Sequence, residues 1–503
     1  MLNKSFFAVL RFACCLAVLA GVIILFYGRE QGSCMHVPII SEKELKKYTQ
    51  TADFDIEQLL FNGAPAAVDI SHDTIYISQS AGNLTHYTAM QGTLISADPA
   101  WSLFFLDNAP LHDLANSVQN GTPLSLIVAS GGRCQMIHVI VTSLPVVRLD
   151  GTLLPMDEEP QNVFGGSVTL WAGADTEAYS TQRSVVQWHV RGNTTASQQK
   201  KSWKLSLKKE NGENNNLNFL GLGSDDDWIL NSLTMDDTKI KEKLFMDVWN
   251  GIAKETQYNY PMSSGEYTEV VINGSYMGIY LLQRRLDAKY LQLSDSDVLL
   301  KVTHYGAASA REAYEFVTSE TNTDAIYSLM EGIYTKTDCS SLQINNLVDV
   351  NLMILLTNAR DNCGLKNMYH LLKDTSEGFA QYLIPWDTDQ SLGVVWKLEE
   401  GFCYDMEQSL QELSKRIETD AVAANNPQYL QLERQRWFML RSSCFSEDSL
   451  LGLVEDLQAE LIKSGALERD LLLWGNRYGG EDSVEHLTHF LLTRLPILDE
   501  NFR

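Results

Sequence analysis

A chain of 503 residues with 45% hydrophobic and 20% charged residues has room for two or three domains and an ample core, which excludes wholesale disorder. Its formal net charge of −25 argues against nucleic acid as a partner, because phosphate-backbone binding needs a basic footprint. Such a surface attracts divalent cations or basic molecules instead.

Residues 1–30 read as a membrane anchor or signal sequence. Phe6 to Tyr27 is apolar apart from Arg11, with Lys4 before it and Arg29 and Glu30 after it. About 20 apolar residues span a bilayer as a helix, and basic residues on the N-terminal side keep that end in the cytoplasm. The run is long for a signal-peptide core and lacks a small-x-small site at its end. An uncleaved transmembrane helix is therefore preferred over secretion after cleavage, and either outcome makes the chain from Gly28 onward extracytoplasmic. Two of the eight cysteines, Cys14 and Cys15, fall inside the apolar run; the rest are widely spaced with no C-x-x-C pair, which argues against structural zinc. Cys363 has no histidine near it in sequence and reads as an inert thiol.

Residues 31–65 are expected to form a polar linker with a short helix at Ser41 to Tyr48. From 66 to 143, short alternating runs (Ile75–Ser78, Leu84–Met90, Trp101–Leu106, Leu124–Ala129, Gln135–Val141) are broken by turn residues such as Gly131 and Gly132. That spacing predicts a small all-β, sandwich-like module, a spacer or recognition unit without a catalytic cluster.

Residues 144–503 form the remaining domain. Strands are expected at Val146–Leu149, Gly166–Ala172 and Ser184–Arg191, with an acidic turn at Asp157–Pro160. A small-residue loop then leads into a strand in which Trp203, Leu205 and Leu207 alternate with Ser202, Lys204 and Ser206. Arg191, Lys200, Lys201 and Lys204 concentrate positive charge here, a candidate phosphate cradle, against the plainer reading of a hairpin with solvated lysines. Asp225 to Asn231 reads as a turn and short strand, Met235–Ile252 as a helix with Asp236 and Asp237 at its start, and Asn273-Gly274 as the turn of a hairpin. Helices are expected at Asn322–Ile333, Ser340–Thr357, Tyr429–Arg441, Ser446–Ser464 and Val484–Leu495, the last ending before Pro496. Strands first and helices later predict an α+β domain with a small β lobe and a larger helical lobe.

The chemistry concentrates between Leu355 and Gly393. An apolar helix delivers Asp361, a polar turn with Gly364 follows, and Asn367 opens a hairpin that ends in Pro385, Trp386, Asp387, Thr388 and Asp389. Carboxylates and a carboxamide on neighbouring loops form a hard, oxygen-rich set suited to Mg²⁺. Phosphoryl transfer in the protein-kinase manner uses this inventory: an Asp near the accepting hydroxyl, an Asn for one metal, and an Asp beyond a hairpin for the other. Asp361 is then the catalytic Asp, Asn367 a metal ligand, and Asp387 or Asp389 the second. Plain turn residues or a glycosidase pair of Asp361 and Asp387 are the alternatives, the latter less suited to the lysine-bearing strand.

Four segments together resemble the spore-coat protein H (CotH) kinase family: Arg191 to Thr195 with Lys200 to Lys204; Asp227 to Asn231 followed by Asp237; Val271 to Gln283; and Asp361 with Lys366 to Tyr369, then Pro385 to Asp389. The likeness covers about Leu144 to Arg503. It implies an atypical protein-kinase-like, two-lobed domain that uses ATP and Mg²⁺ or Mn²⁺ to phosphorylate Ser or Thr on extracytoplasmic proteins. Carried over residue by residue, Lys201 or Lys204 contacts nucleotide phosphates, Arg191 shapes that site, Asp361 is catalytic, and Asn367 and Asp387 hold metal, with Asp389 holding a second ion or orienting the loop. Gln283 stands where the family usually has a Glu that serves the nucleotide or metal site. Five residues separate Asp361 from Asn367, one more than in the ordinary kinase loop, which makes Asn362 a rival ligand. The competing functions are a pseudokinase or surface scaffold and a cell-wall or carbohydrate binder using some of the ten tryptophans.

Overall fold

The computed structural model describes residues 35–154, 162–173, 179–192, 195–304, 306–320, 322–362, 367–394 and 428–503. The expected anchor at Phe6–Tyr27, the acidic turn at Asp157–Pro160, and Cys363, Gly364 and Lys366 lie outside the described residues. Among the described residues no helix is long and apolar enough to cross a membrane.

Four of the five runs expected as strands between 66 and 143 form them, but the module is not a sandwich. It is one seven-stranded mixed sheet with a three-stranded sheet beside it. Thr49–Gln50 and Thr74–Ser78 both run parallel to Arg133–Thr142, and Ile39–Ile40 runs parallel to Ser102–Leu106. Parallel neighbours need crossovers rather than hairpins; two short helices, Ala109–His112 and Leu114–Gln119, lie between the antiparallel pair Ser102–Leu106 and Leu124–Ser130. Leu84–Met90 forms 3-10 turns at Ala81–Leu84 and Tyr87–Ala89 instead of a strand, because the His86 imidazole accepts from the Thr88 amide and curls the backbone. The stretch expected as a linker is part of this core, with Met35, Val37, Phe54, Ile56, Leu59 and Phe61 buried. Burial contributes roughly 1.5–3 kcal/mol for each large side chain, enough to hold a nominally polar segment down.

The next elements close into a seven-stranded barrel. Its strands are β1 (Val146–Leu153), β2 (Val163–Ala172), β3 (Ser180–Arg191), β4 (Ser202–Lys208), β5 (Asp227–Asn231), β6 (Gly265–Ile272) and β7 (Ser275–Arg284). The order around the barrel is β1-β2-β3-β4-β5-β7-β6, and β6 closes it by pairing parallel to β1. The inward positions are apolar, among them Val186, Trp188, Leu205, Leu207, Trp228 and Leu230. Strand periodicity therefore sends Lys204 and Ser206 outward. Asn273 (φ 47°) and Gly274 (φ 71°) make the expected β6–β7 turn; a Cβ on Gly274 would lie 2.3 Å from Ile70 Cδ1, where the N-terminal module packs on the barrel.

Helix α1 (Lys241–Thr256) shares a core with Tyr267, Ile279 and Leu281 of the barrel and starts later than its sequence pattern predicts. Asp236 accepts from the amides of Thr238 and Lys241, and Leu233 and Lys239 have positive φ, so the chain winds into a loop before the helix begins.

Beyond the barrel, β8 (Val298–Val302), β9 (Tyr314–Phe316), β10 (Met368–Thr375) and β11 (Gly378–Pro385) form an antiparallel sheet in the order β9-β8-β10-β11. Helices α2 (Thr323–Tyr334), α3 (Ile344–Thr357), α4 (Tyr429–Arg441), α5 (Glu447–Lys463), α6 (Ala466–Trp474) and α7 (Val484–Asn501) make up the rest of this half, with α3 packed on β11 and α6 on barrel strand β7. Residues Asn346–Thr357 of α3 are buried throughout, and the core containing them runs without a break onto Tyr267, Ile279 and Leu281 of the barrel. Helix α7 continues through Pro496 to Asn501 rather than stopping before the proline. Its buried Leu491, Leu495 and Leu498 together outweigh the roughly 3 kcal/mol that an interior proline costs. The fold is α+β, with a β-rich first half and a helical second half.

Candidate active site

Helix α3 ends at Asn358 in a left-handed conformation (φ 52°), and the chain turns through the 3-10 segment Arg360–Asn362 that carries Asp361. The buried Asn362 amide donates to the carbonyls of Asn367 (3.1 Å) and Trp386 (2.8 Å), tying together the two loops at the open end of the β10–β11 hairpin. The Asn362 amide nitrogen thus acts as a clamp, while its buried Oδ1 has no hydrogen-bond partner among the described residues. The Asn367 amide donates to Asp361 Oδ2 (2.9 Å) and, longer, to the Asp387 carbonyl (3.4 Å). Asn367 (φ 51°) and Asp387 (φ 56°) are both left-handed, a conformation that Asn and Asp tolerate better than most residues. Asp361, Asn367 and Asp387 therefore share one cluster, with Asp387 facing solvent.

The barrel reaches this cluster through β3. The Arg191 guanidinium, at the end of that strand, lies 5.4 Å from the centre of the Trp386 ring, a cation–π distance. Lys204, on the outer face of β4, is 3.4 Å from Asp227 Oδ2, which Arg285 also contacts at 3.0 Å. Burial raises the Tyr369 phenol, and Arg191 and Arg285 oppose that rise. Lys201 is directed elsewhere: its ammonium donates to the Ala196 carbonyl at 2.6 Å. Lys200 is buried in an ion pair with Asp470 on α6. Gln283 lies on the same register row as Lys204, with Ile229 between them. It is fully buried, and among the described residues neither of its carboxamide atoms has a hydrogen-bond partner.

Two further carboxyls complete the cluster. Glu242, in the first turn of α1, accepts from the Thr388 amide (2.7 Å) and hydroxyl (2.9 Å). Burial, and then the Asp387 charge, push its carboxyl up to about 7. Asp389 is raised well above the ordinary carboxylate range by burial and then by Asp387, Glu242, Asp236 and Asp361. Among the described residues no three His, Cys, Asp or Glu side chains converge closely enough to hold a metal unaided. The cluster is a region of crowded negative charge with oxygen donors only.

Crowding of this kind has a pH signature. A carboxyl raised from 4.5 to about 7 holds its proton in the folded chain after the unfolded chain has lost it. The stabilisation is complete below pH 4.5 and is lost as pH rises to about 7, on the order of 3 kcal/mol for Glu242. Without divalent cation, urea unfolding is expected to show lower stability at pH 8 than at pH 5.5. The Glu242→Gln variant should reduce that fall; Asp389, Asp482 and Glu433, also raised by burial, leave a residual slope.

Glu242 and the Asn362 clamp are the parts that sequence reading missed. An acidic residue in a first helical turn is ordinary dipole chemistry, so nothing local marks Glu242. None of the curated proteins matches the chain. A family model described as CotH kinase protein matches residues 188–498, a span that includes Arg191, Lys204, Glu242, Asp361, Asn367 and Asp387. That span is more than half of the chain, and the protein belongs to the CotH kinase family.

Proposed function

We propose that the protein is an atypical kinase, anchored in the membrane by Phe6–Tyr27 with its main domains extracytoplasmic, that transfers phosphate from ATP to Ser or Thr of secreted or surface proteins. The single observation that carries this reading is the Arg191–Trp386 contact. It sets the end of β3, beside the Lys204-bearing β4, against the loop that carries Asp387, as two lobes closing on a nucleotide would require. ATP with Mg²⁺ or Mn²⁺ would supply the phosphoryl group and neutralise its charge in transfer.

The side chains present fit such a pair. Asp387, Asp389, Asp361 and the Asn367 carboxamide offer hard oxygens, and a cation among them relieves the charge crowding that raises Asp389. Because the acids do not converge unaided, an ion there would need oxygen ligands beyond those of the protein. Asp387 and Asn367 would hold the ion, with Asp389 behind them. Arg191 and Lys204 face the phosphates, while Lys201, bonded to Ala196, needs a loop movement to do so. Asp361 accepts the proton of the Ser or Thr hydroxyl, and the Asn367 amide on its Oδ2 holds it in line.

The test is incubation of the full chain with γ-labelled ATP, Mn²⁺ and a Ser-rich acceptor protein. Label on Ser or Thr is expected, and its absence under every divalent metal overturns the reading. A second reading, a nucleotide-binding pseudokinase or scaffold, is favoured by Gln283, whose enclosed carboxamide offers no charge to the site. A thermal shift with ATP but no transfer would select it. Since an unpartnered buried amide costs about 1–3 kcal/mol, Gln283→Met is expected to raise stability by about 1–2 kcal/mol in urea unfolding.

A further inference from the structure

Between Asp387 and Asp389 stands Thr388, fully buried, whose amide and hydroxyl both donate to one oxygen of Glu242. The Thr388 carbonyl accepts from Ser391 Oγ at 2.7 Å. Glu242 belongs to α1, more than a hundred residues earlier, and is itself buried. The start of α1 is locked in turn to the connection between α6 and α7. Lys241 pairs with Asp482 (2.6 Å), and Asp237 accepts from the amides of Arg477 (2.7 Å) and Tyr478 (2.8 Å). Asp387 occupies a left-handed conformation, uncommon for residues other than Gly, Asn and Asp, in which the backbone direction fixes where the carboxylate points. The tether on the next residue, Thr388 to Glu242, holds the loop at this point.

We propose that Glu242 is a positioning residue: by gripping Thr388 from the first turn of α1, it sets the directions in which Asp387 and Asp389 present their carboxylates. This rests on reading the acid loop as the cation site. Glu242 contacts neither cation nor phosphate, and its task is to accept two hydrogen bonds. A carboxamide oxygen accepts the same bonds, whereas a methyl group cannot.

The experiment is Mn²⁺ titration of the full chain by electron paramagnetic resonance without nucleotide, with thermal unfolding as a check on folding. Glu242→Ala is expected to weaken Mn²⁺ binding by about 10- to 100-fold, the usual consequence of losing a partner that orients a metal ligand. Glu242→Gln should restore affinity to within about threefold of wild type, the rescue that marks a hydrogen-bonding role. Thr388→Val removes one of the two bonds and keeps the side chain's shape; a loss of about three- to tenfold is expected, with no further loss when it is combined with Glu242→Ala. Wild-type affinity in folded Glu242→Ala overturns the proposal, as does a Glu242→Gln variant as weak as Glu242→Ala. Should Glu242→Ala not fold, unchanged affinity in Thr388→Val overturns it. Failure of the wild-type chain to bind Mn²⁺ is a different result, one that removes the reading of the acid loop itself.

Discussion

Replacing Asp387 by Asn is expected to lower phosphate transfer from ATP by at least about a hundredfold, the scale seen when one electrostatic stabiliser of a transition state is removed. Asn is the informative substitution because residue 387 has φ 56°, which Asn adopts readily and Ala does not. The change removes a solvent-facing charge from a loop otherwise held by Asn362, Asn367 and Glu242. The melting temperature should therefore move little, and removal of one like charge from around Asp389 should if anything raise it. Initial rates with labelled ATP and Mn²⁺, read beside a thermal melt, check both halves. Equal labelling by wild type and variant would take Asp387 out of the mechanism.

A loss of stability of about 3–5 kcal/mol is expected for Asp470→Ala, the range for breaking a buried ion pair from one side. Asp470 is fully buried; its Oδ1 accepts from Lys200 and from the Ile279 amide (2.8 Å), and its Oδ2 lies 3.5 Å from Lys239. Removing it leaves two enclosed ammonium groups without their counter-charge. Burial already pulls Lys200 down to about 8 with Asp470 present, so without it Lys200 is expected to give up its proton near neutral pH. Lys200→Met should be much milder, because Asp470 keeps Lys239 and the Ile279 amide. Urea unfolding of the two variants measures the asymmetry; equal losses would mean that the pair does not carry the α6-to-barrel contact.

Those two residues also illustrate what a sequence hides. Lys200, Lys201 and Lys204 lie within five positions and look alike on paper, yet Lys200 enters an ion pair with a helix 270 residues away, Lys201 bonds to its own loop and Lys204 faces out from β4. Only Lys204 was placed by a local rule, the two-residue alternation that sends Leu205 and Leu207 inward. The Asn273-Gly274 hairpin and the apolar helix before Asp361 were legible for similar reasons: turn chemistry and periodicity act over a few residues. Parallel pairing in the N-terminal sheet, the burial of Met35 to Phe61 and the grip of Glu242 on Thr388 depend on partners far along the chain. Asp361, Asn367 and Asp387 were found because a hairpin joins them, which is why that part of the cluster could be read and its support could not.

The most direct measurement is the anomalous difference map of crystals grown with Mn²⁺ and a non-hydrolysable ATP analogue. A manganese peak is expected within about 2.0–2.4 Å of Asp387 and Asn367 oxygens, with the triphosphate running toward Arg191 and Lys204. Manganese and nucleotide bound away from these residues, or a triphosphate that meets neither Arg191 nor Lys204, would contradict the assignment of this cluster as the site of transfer.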